Sequence, residues 1–529
     1  MGKHKKRREK VEYQPAEESR SVNIDKYLDI GLIILLFMVV FLMNLPLSKL
    51  EFMQPDGSGY LDMGRNLFTG KGAVISYNIN QYWPGKYYPF LPYMQPVYGI
   101  VAGLVWMLFG LQGVITFNML TLAGNSVLLY KIVRLYSDSF TSFLIGLFIG
   151  LSHVLIFPAI SPLTEQLNLF FLLLALFVYL RYEKAAVWTG LILAVSCLTR
   201  IASFYNVAAF ILSILIIKRF SKEALKELMR FLLGFLAVFL TYEIFCFLRY
   251  GVFYPEYLKA AKIYKSAEIY PGAFYKDAIP TLNMPDIKVG SEGVFANIWV
   301  SLTGFFEIFD MLKFVYILAP GYLIYDFIKK RRTPILVLLF LNGFAVIGGY
   351  TLAHTWSKIY EFSRFSVIPF TMLGALGFLS LKAIFSGLMD QRWEKRFPAI
   401  FIIIMLVFLG FHIRSHRRFT SFYLNVYPTK FESYTQSRDM IYEWIRDNSQ
   451  EDDLIASAFL RDAFFMERPI VSLPRDEALT EKNLRDYLEI YKPKYVLAHD
   501  PKVVDILVKI GFKLRIRSGN LFLFGQDGN

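Results

Sequence analysis

The residues best placed to do chemistry are two carboxylates where the chain leaves long apolar runs. Asp56 lies in MQPDGSGYLDMGRNLFTGKG, Met53 to Gly72, directly after the first apolar run. A carboxylate there, between polar solvent and flexible Gly57 and Gly59, can take a proton from an incoming hydroxyl. An aspartate at a helix start can also be a simple N-cap, although Ser58 stands nearer the expected helix and can fill that role. Glu165 opens another apolar run after FPAISPLT. Thr164 or Ser161 can cap that helix, and an acid in its first turn suits the dipole. Against that bland reading, ionisable groups at membrane depth are costly and commonly functional.

Cations recur at the same level. Arg200 ends LILAVSCLTR, and HTWSKIYEFSRF carries His354, Lys358 and Arg364 before a further apolar run. They ask for an anionic partner. One candidate is the phosphate of a lipid carrier, which a guanidinium grips with paired donors. The other readings are pairing with Glu165 or Glu361, and contact with lipid headgroups. A lone His354 is more often a hydrogen-bonded loop residue than a metal ligand.

These groups need elements to hold them. After Asp56 the spacing predicts a helix over 59–69. Tyr60, Leu61, Met63, Gly64, Leu67 and Phe68 form one stripe, and Asp62, Arg65, Asn66 and Thr69 the other. That pattern fits a helix lying on a bilayer surface, with Asp62 and Arg65, three apart, as an exposed ion pair of structural use. The following QYWPGKYYPFLPYMQP is an aromatic belt suited to the headgroup layer.

The chain of 529 residues is 55% apolar and 17% aromatic, with a mean hydropathy of +0.41. That excludes a soluble globular class and points to an α-helical polytopic membrane protein. The net charge of +14 falls mostly in loops, as the positive-inside bias requires, so it does not signal nucleic acid. Cys197 and Cys246 lie in apolar runs and suggest neither a disulfide nor a metal site. The basic start MGKHKKRREK and the uncleaved first run predict a cytoplasmic N-terminus.

Placing every Lys/Arg cluster on one side gives about 11 spans. The awkward stretch is 94–134, twice a span's length and divided by Gly110 and Gly113. It is read as 94–110 lying along or dipping into the outer face and 114–134 crossing; two crossings are the alternative. The expected organisation is a basic tail over 1–27, a transmembrane unit over 28–413 with an outer loop at 48–93, and an extracytoplasmic α/β domain over 414–529. In that domain helices are expected at 436–448, 481–491 and 501–510, and strands at 454–458, 494–498, 513–516 and 521–524. The Tyr- and Lys-rich loop 249–297 is a candidate lid.

In order, PDGSGYLDMGRNLFTGKG, MQPVYGIVAGLVWMLFG, SPLTEQLNLFFLLLALFVYL, GLILAVSCLTR and EFSRFSVIPF resemble the C-type (GT-C) integral-membrane glycosyltransferases. More narrowly, they are similar to the protein O-mannosyltransferase and aminoarabinose transferase superfamily. The resemblance implies a multi-pass enzyme of the cell membrane. It would move a sugar from a polyprenyl-phosphate donor to a lipid, glycan or protein acceptor on the outer face, with inversion. Asp56 maps to the base and Glu165 to the acid of the second outer loop. Arg200, Arg364 and Lys358 would hold the donor phosphate, and Tyr60 and His354 would line the substrate pocket. Many relatives have Asp-Glu where this chain has Asp56-Gly57, one carboxylate fewer, so no metal ligand set is assigned and a divalent cation is only an option. The rival readings are a lipid or glycolipid flippase and a structural subunit of an envelope assembly.

Overall fold

The computed structural model describes residues 21–50, 55–78, 95–250, 253, 313–329, 333–353, 365–388, 397–458, 462–473 and 479–526. His354, Lys358 and Arg364, the aromatic belt after position 78 and nearly all of the 249–297 loop lie outside them.

Apolar helices make up most of the chain: α1 (Ser21–Asn44), α3 (Pro96–Arg134), α4 (Ser139–Gly150), α5 (His153–Ala159), α6 (Glu165–Arg181), α7 (Ala186–Thr199), α8 (Ser203–Ile217), α9 (Lys222–Tyr250), α10 (Lys313–Ile328), α11 (Pro334–Ala353), α12 (Val367–Leu388) and α13 (Phe397–Ser421). The short α2 (Pro55–Phe68) lies between α1 and α3 in sequence. Among the described residues, three helices are long and apolar enough to cross a membrane, or four if α4 and α5, bent by 53°, count as one span. The expectation of about 11 spans is therefore not met by length. Among the helices below that length, α6, α7 and α8 have 17, 14 and 15 residues, short of the roughly 20 that a bilayer core needs.

Polar side chains mark the two ends of this bundle. At one end Asp29 of α1 accepts hydrogen bonds from Tyr130 (2.6 Å), Arg134 (3.0 Å) and Ser139 (2.6 Å), tying α1 to the end of α3 and the start of α4. Lys382 of α12 reaches Asp138 at the same end. At the other end Asn44 of α1 meets His416 of α13 at 3.1 Å, and Arg200 after α7 reaches Thr164 before α6. Between the ends the helices pack through buried Leu, Ile, Val and Phe, with an amide pair, Asn206 to Asn342 at 3.1 Å, joining α8 and α11. Buried amides are tolerated in an apolar bundle when they find each other.

Gly110 breaks α3, with φ 67 and ψ −168. Those angles suit glycine alone, and the break falls where the sequence analysis divided the 94–134 stretch.

The carboxy-terminal part runs α14 (Tyr427–Asn448), β2 (Ile455–Ser457), α15 (Asp462–Met466), β3 (Ile470–Ser472), α16 (Glu481–Tyr491), β4 (Tyr495–Ala498), α17 (Pro501–Lys509), β5 (Lys513–Ser518) and β6 (Leu521–Gly525). The sheet order is β1-β3-β2-β4-β6-β5. Its first strand, β1 (Tyr77–Asn78), comes from the segment between α2 and α3 and pairs in parallel with β3, Tyr77 opposite Ile470. The β3-β2-β4 core is parallel, and the β5-β6 hairpin closes the other edge antiparallel. Strands β2, β4, β5 and β6 lie where the sequence pattern predicts strands, and β1 and β3 do not.

Candidate active site

Asp56 stands in the first turn of α2, which begins at Pro55, four residues earlier than the spacing suggested. Proline is favoured at the first helical position because its fixed φ suits a helix and its missing N–H would be unsatisfied anyway. Gly57 and Gly59 are therefore helical rather than a hinge, and Ser58 lies inside the helix, fully buried. Glycine inside a helix costs about 1 kcal/mol relative to alanine. Packing offsets that cost at two positions. A methyl on Gly57 would lie 2.8 Å from the Pro162 carbonyl oxygen. One on Gly64 would lie 2.4 Å from the Gly99 carbonyl oxygen and 2.6 Å from the Gly103 Cα. So α2 presses backbone to backbone on the first half of α3, and its start presses on the loop that leads into α6.

That contact brings the two acids' segments together. Gly57 follows Asp56 directly, and Pro162 is three residues before Glu165. A polar relay runs behind the contact. Tyr60 donates to Gln95 (2.8 Å), and its ring meets Tyr98 edge-on at 5.3 Å. Tyr98 donates to Asn118 (3.2 Å), which donates to the Ser161 carbonyl (2.7 Å). Tyr60 is itself buried, at 7% exposure.

Glu165 is 2% exposed and pairs with Arg200, Oε1 to guanidinium, at 2.8 Å. The same guanidinium nitrogen donates to the Thr164 hydroxyl at 3.0 Å. Thr164 makes no side-chain cap to α6; its hydroxyl serves Arg200, so the expected Thr164 cap is replaced by a cross-helix bond. The Arg200 guanidinium also lies over the Phe365 ring at 5.3 Å, a favourable cation–π placement. Phe365 is the first described residue after Arg364. The turn that carries Asp56 thus packs on the loop before Glu165, and Arg200 joins Glu165 to Phe365. Beside them, Ser196 and Ser203 both donate to Asn168, at 2.7 and 2.5 Å.

The expected surface helix and exposed ion pair are corrected. From Gly57 to Asn66 every residue of α2 is buried. Asp62 is fully buried and accepts from Arg65 and from the Ser76 backbone N–H, both at 2.5 Å. Burial pushes the Asp62 carboxyl up, and the Arg65 charge works against it. Asp62, Arg65 and Asn66 of the polar stripe face α15 and the segment 74–76 instead of water. Sequence reasoning could not see this, because the covering groups lie some 400 positions away, such as Phe464, whose carbonyl accepts from Arg65 at 2.6 Å.

Among the described residues, no group of three or more His, Cys, Asp or Glu is placed to hold a metal ion. Gly57 brings no donor, and Glu165 is engaged by Arg200. Among the described residues, the donors around Asp56 do not make up a divalent-cation site.

No family model matches the sequence, and no curated protein matches it either. Solved structures match in fold. ArnT from Cupriavidus metallidurans bound to undecaprenyl phosphate aligns with a TM-score of 0.55 at 12% identity, over 96% of this chain and 98% of that one. The oligosaccharyltransferase AglB from Archaeoglobus fulgidus, in complex with an inhibitory peptide and a dolichol-phosphate, aligns at 0.56 and 12%, over 90% and 69%. The same organism's oligosaccharyltransferase in complex with Zn and sulfate aligns at 0.53 and 13%, over 89% and 69%. The chain therefore has the GT-C fold, as its motifs suggested.

Proposed function

We propose that this protein is a membrane glycosyltransferase that takes a sugar from a polyprenyl-phosphate carrier and passes it to an acceptor at the outer face. The observation that carries the proposal is the meeting of the Asp56 turn with the loop before Glu165, beside the Glu165–Arg200 pair. The fold shared with ArnT bound to undecaprenyl phosphate and AglB bound to a dolichol-phosphate supports the carrier class.

In the reaction, an acceptor hydroxyl or amine attacks the anomeric carbon of the sugar. Its proton passes to the Asp56 carboxylate. The bond from the anomeric carbon to the phosphate oxygen breaks, its electrons stay on the phosphate, and the anomeric centre inverts. Arg200, with Lys358 and Arg364 from the adjoining segment, stabilises the released phosphate dianion. Glu165 holds the Arg200 fork in place and orients the acceptor. Tyr60 backs the pocket through Gln95 and Tyr98, and His354 completes its rim. Acid–base action of this kind is typically worth about 10²–10⁴ in rate. The N-terminus would face the cytoplasm and the sheet-bearing tail the outside of the cell membrane.

The test uses purified protein in lipid vesicles, with radiolabelled polyprenyl-phosphate sugar and a cell-envelope extract as acceptor source. Release of free polyprenyl phosphate is expected. The Asp56→Asn variant is expected to lose about a hundredfold or more of that turnover while eluting as a folded protein. Movement of intact carrier across the vesicle without bond cleavage would replace the transferase reading with a flippase.

A further inference from the structure

Helix α15 of the carboxy-terminal part and the segment leading into β1 grip the helix that carries Asp56, and the grip is specific. Arg65 donates to the Phe464 carbonyl at 2.6 Å and to Asp62, and its guanidinium lies 5.3 Å from the Phe464 ring centre. Asp62 also accepts from the Ser76 N–H. Asn66 of the same helix donates to the Val74 carbonyl and the Ser76 hydroxyl, both at 3.0 Å. The Ser76 carbonyl accepts from the Ile470 N–H at 2.8 Å, and β1 then adds to the sheet edge. Phe464 in turn meets Trp106 of α3 edge-on at 5.4 Å. One apolar cluster joins Tyr60, Leu61 and Met63 of α2 to Tyr98, Tyr442, Ile455, Phe464 and Ile470. Hence α2 is clamped between α3 on one side and α15 on the other.

We infer that Arg65 and Asp62 are positioning residues for Asp56, and that α15 of the carboxy-terminal part, with the segment leading into β1, is the seat that fixes the catalytic helix. This rests on the proposed role of Asp56. Arg65 lies nine residues along α2 from Asp56, roughly 13 Å at the helical rise, so it does not touch the reacting atoms. It acts through the helix as a lever. A tilt of about 5° at the Arg65 end moves a group roughly 13 Å away by about 1 Å. A misplacement of that size can cost about a hundredfold in rate. Buried guanidinium geometry also cannot be reproduced by an ammonium, which lacks the planar fork that reaches Asp62 and the Phe464 carbonyl together.

The experiment compares Arg65→Leu, Arg65→Lys and Asp56→Asn in the full-length protein. Readouts are turnover, carrier affinity and amide hydrogen exchange over positions 55–68. Arg65→Leu is expected to lower kcat about a hundredfold with KM for the carrier unchanged, and to speed exchange in α2 while the bundle stays protected. Arg65→Lys is expected to recover about tenfold of that loss. If Arg65→Leu does not fold, Arg65→Lys decides: turnover and α2 exchange equal to wild type would overturn the inference. An inactive Asp56→Asn beside a fully active Arg65→Lys rejects the lever alone, whereas a fully active Asp56→Asn rejects the base assignment beneath it.

Discussion

At the scale of single residues, the Glu165–Arg200 pair sets the electrostatics of the site. The pair is buried at 2.8 Å, with Arg200 12% and Glu165 2% exposed at the side chain. Removing one partner of a buried ion pair leaves an uncompensated charge and typically costs about 3–5 kcal/mol. Arg200→Ala is therefore expected to destabilise the protein by about that much, and Glu165→Gln by less, because a neutral amide still accepts from the guanidinium. The double variant is expected to cost less than the two single changes added, as coupled neighbours do. Denaturant unfolding of the four proteins in detergent closes the cycle. Full additivity would mean that the two residues do not act as a pair. The site's carboxylates and Arg200 were legible in the sequence because charges in apolar runs stand out. The amides Asn118 and Asn168 carried the same signal, polar groups inside apolar runs, and were passed over. The Asp62–Arg65 pair was legible as a pair but not as a buried one, since three-residue spacing says nothing about what covers it.

At the scale of elements, the helix ends carry much of the order. Asp138 caps α4 by accepting from the Thr141 N–H at 2.8 Å, and it pairs with Lys382 of α12 at 2.5 Å. Burial pushes the Asp138 carboxyl up, but the hydrogen bonds from Lys382 and Thr141 outweigh it and hold the group at about 2, against an ordinary 3.8. A carboxyl whose folded value is depressed stabilises the fold above its unfolded value, and that stability is lost as pH falls through the folded one. Asp138→Ala is thus expected to lower stability by about 0.5–2 kcal/mol at neutral pH, with the difference from wild type shrinking as pH falls from about 4 toward 2. Thermal melts of both proteins across that range would show it; a constant difference would contradict the cap and pair. The helices of the tail were readable from local pattern, and α16 spans Glu481–Tyr491 as expected. The start of α2 was misread because Gly57 and Gly59 looked like a hinge, when both are helical and Gly57 is where the Pro162 backbone comes close. Strands β1 and β3 have two and three residues, too few to show alternation, and β1 finds its partner some 390 positions away.

At the scale of the whole molecule, the chain is a two-ended bundle with a sheet docked at one end. The end marked by Asp29, Arg134, Asp138 and Lys382 holds the Lys/Arg-rich turns; the other holds Glu165, Arg200 and the docked sheet. The positive-inside bias predicts that the first end is cytoplasmic. In intact cells, Lys482→Cys in the tail is expected to react with a membrane-impermeant maleimide, and Glu183→Cys between α6 and α7 only after permeabilisation. The reverse pattern would invert the orientation and put the proposed site on the wrong face. The fold class was readable from hydropathy, because long apolar runs leave few alternatives. The number of full-length spans was not, because several helices are too short to cross alone and hydropathy does not register where a helix breaks, as between α4 and α5.

The most direct measurement is an experimental structure of the full-length protein with a non-hydrolysable polyprenyl-phosphate sugar bound. The carrier phosphate is expected within hydrogen-bond reach of Arg200, and the Asp56 carboxylate facing the opposite side of the anomeric carbon. A phosphate seated away from Arg200, or an Asp56 carboxylate turned from the sugar, would contradict the proposed reaction.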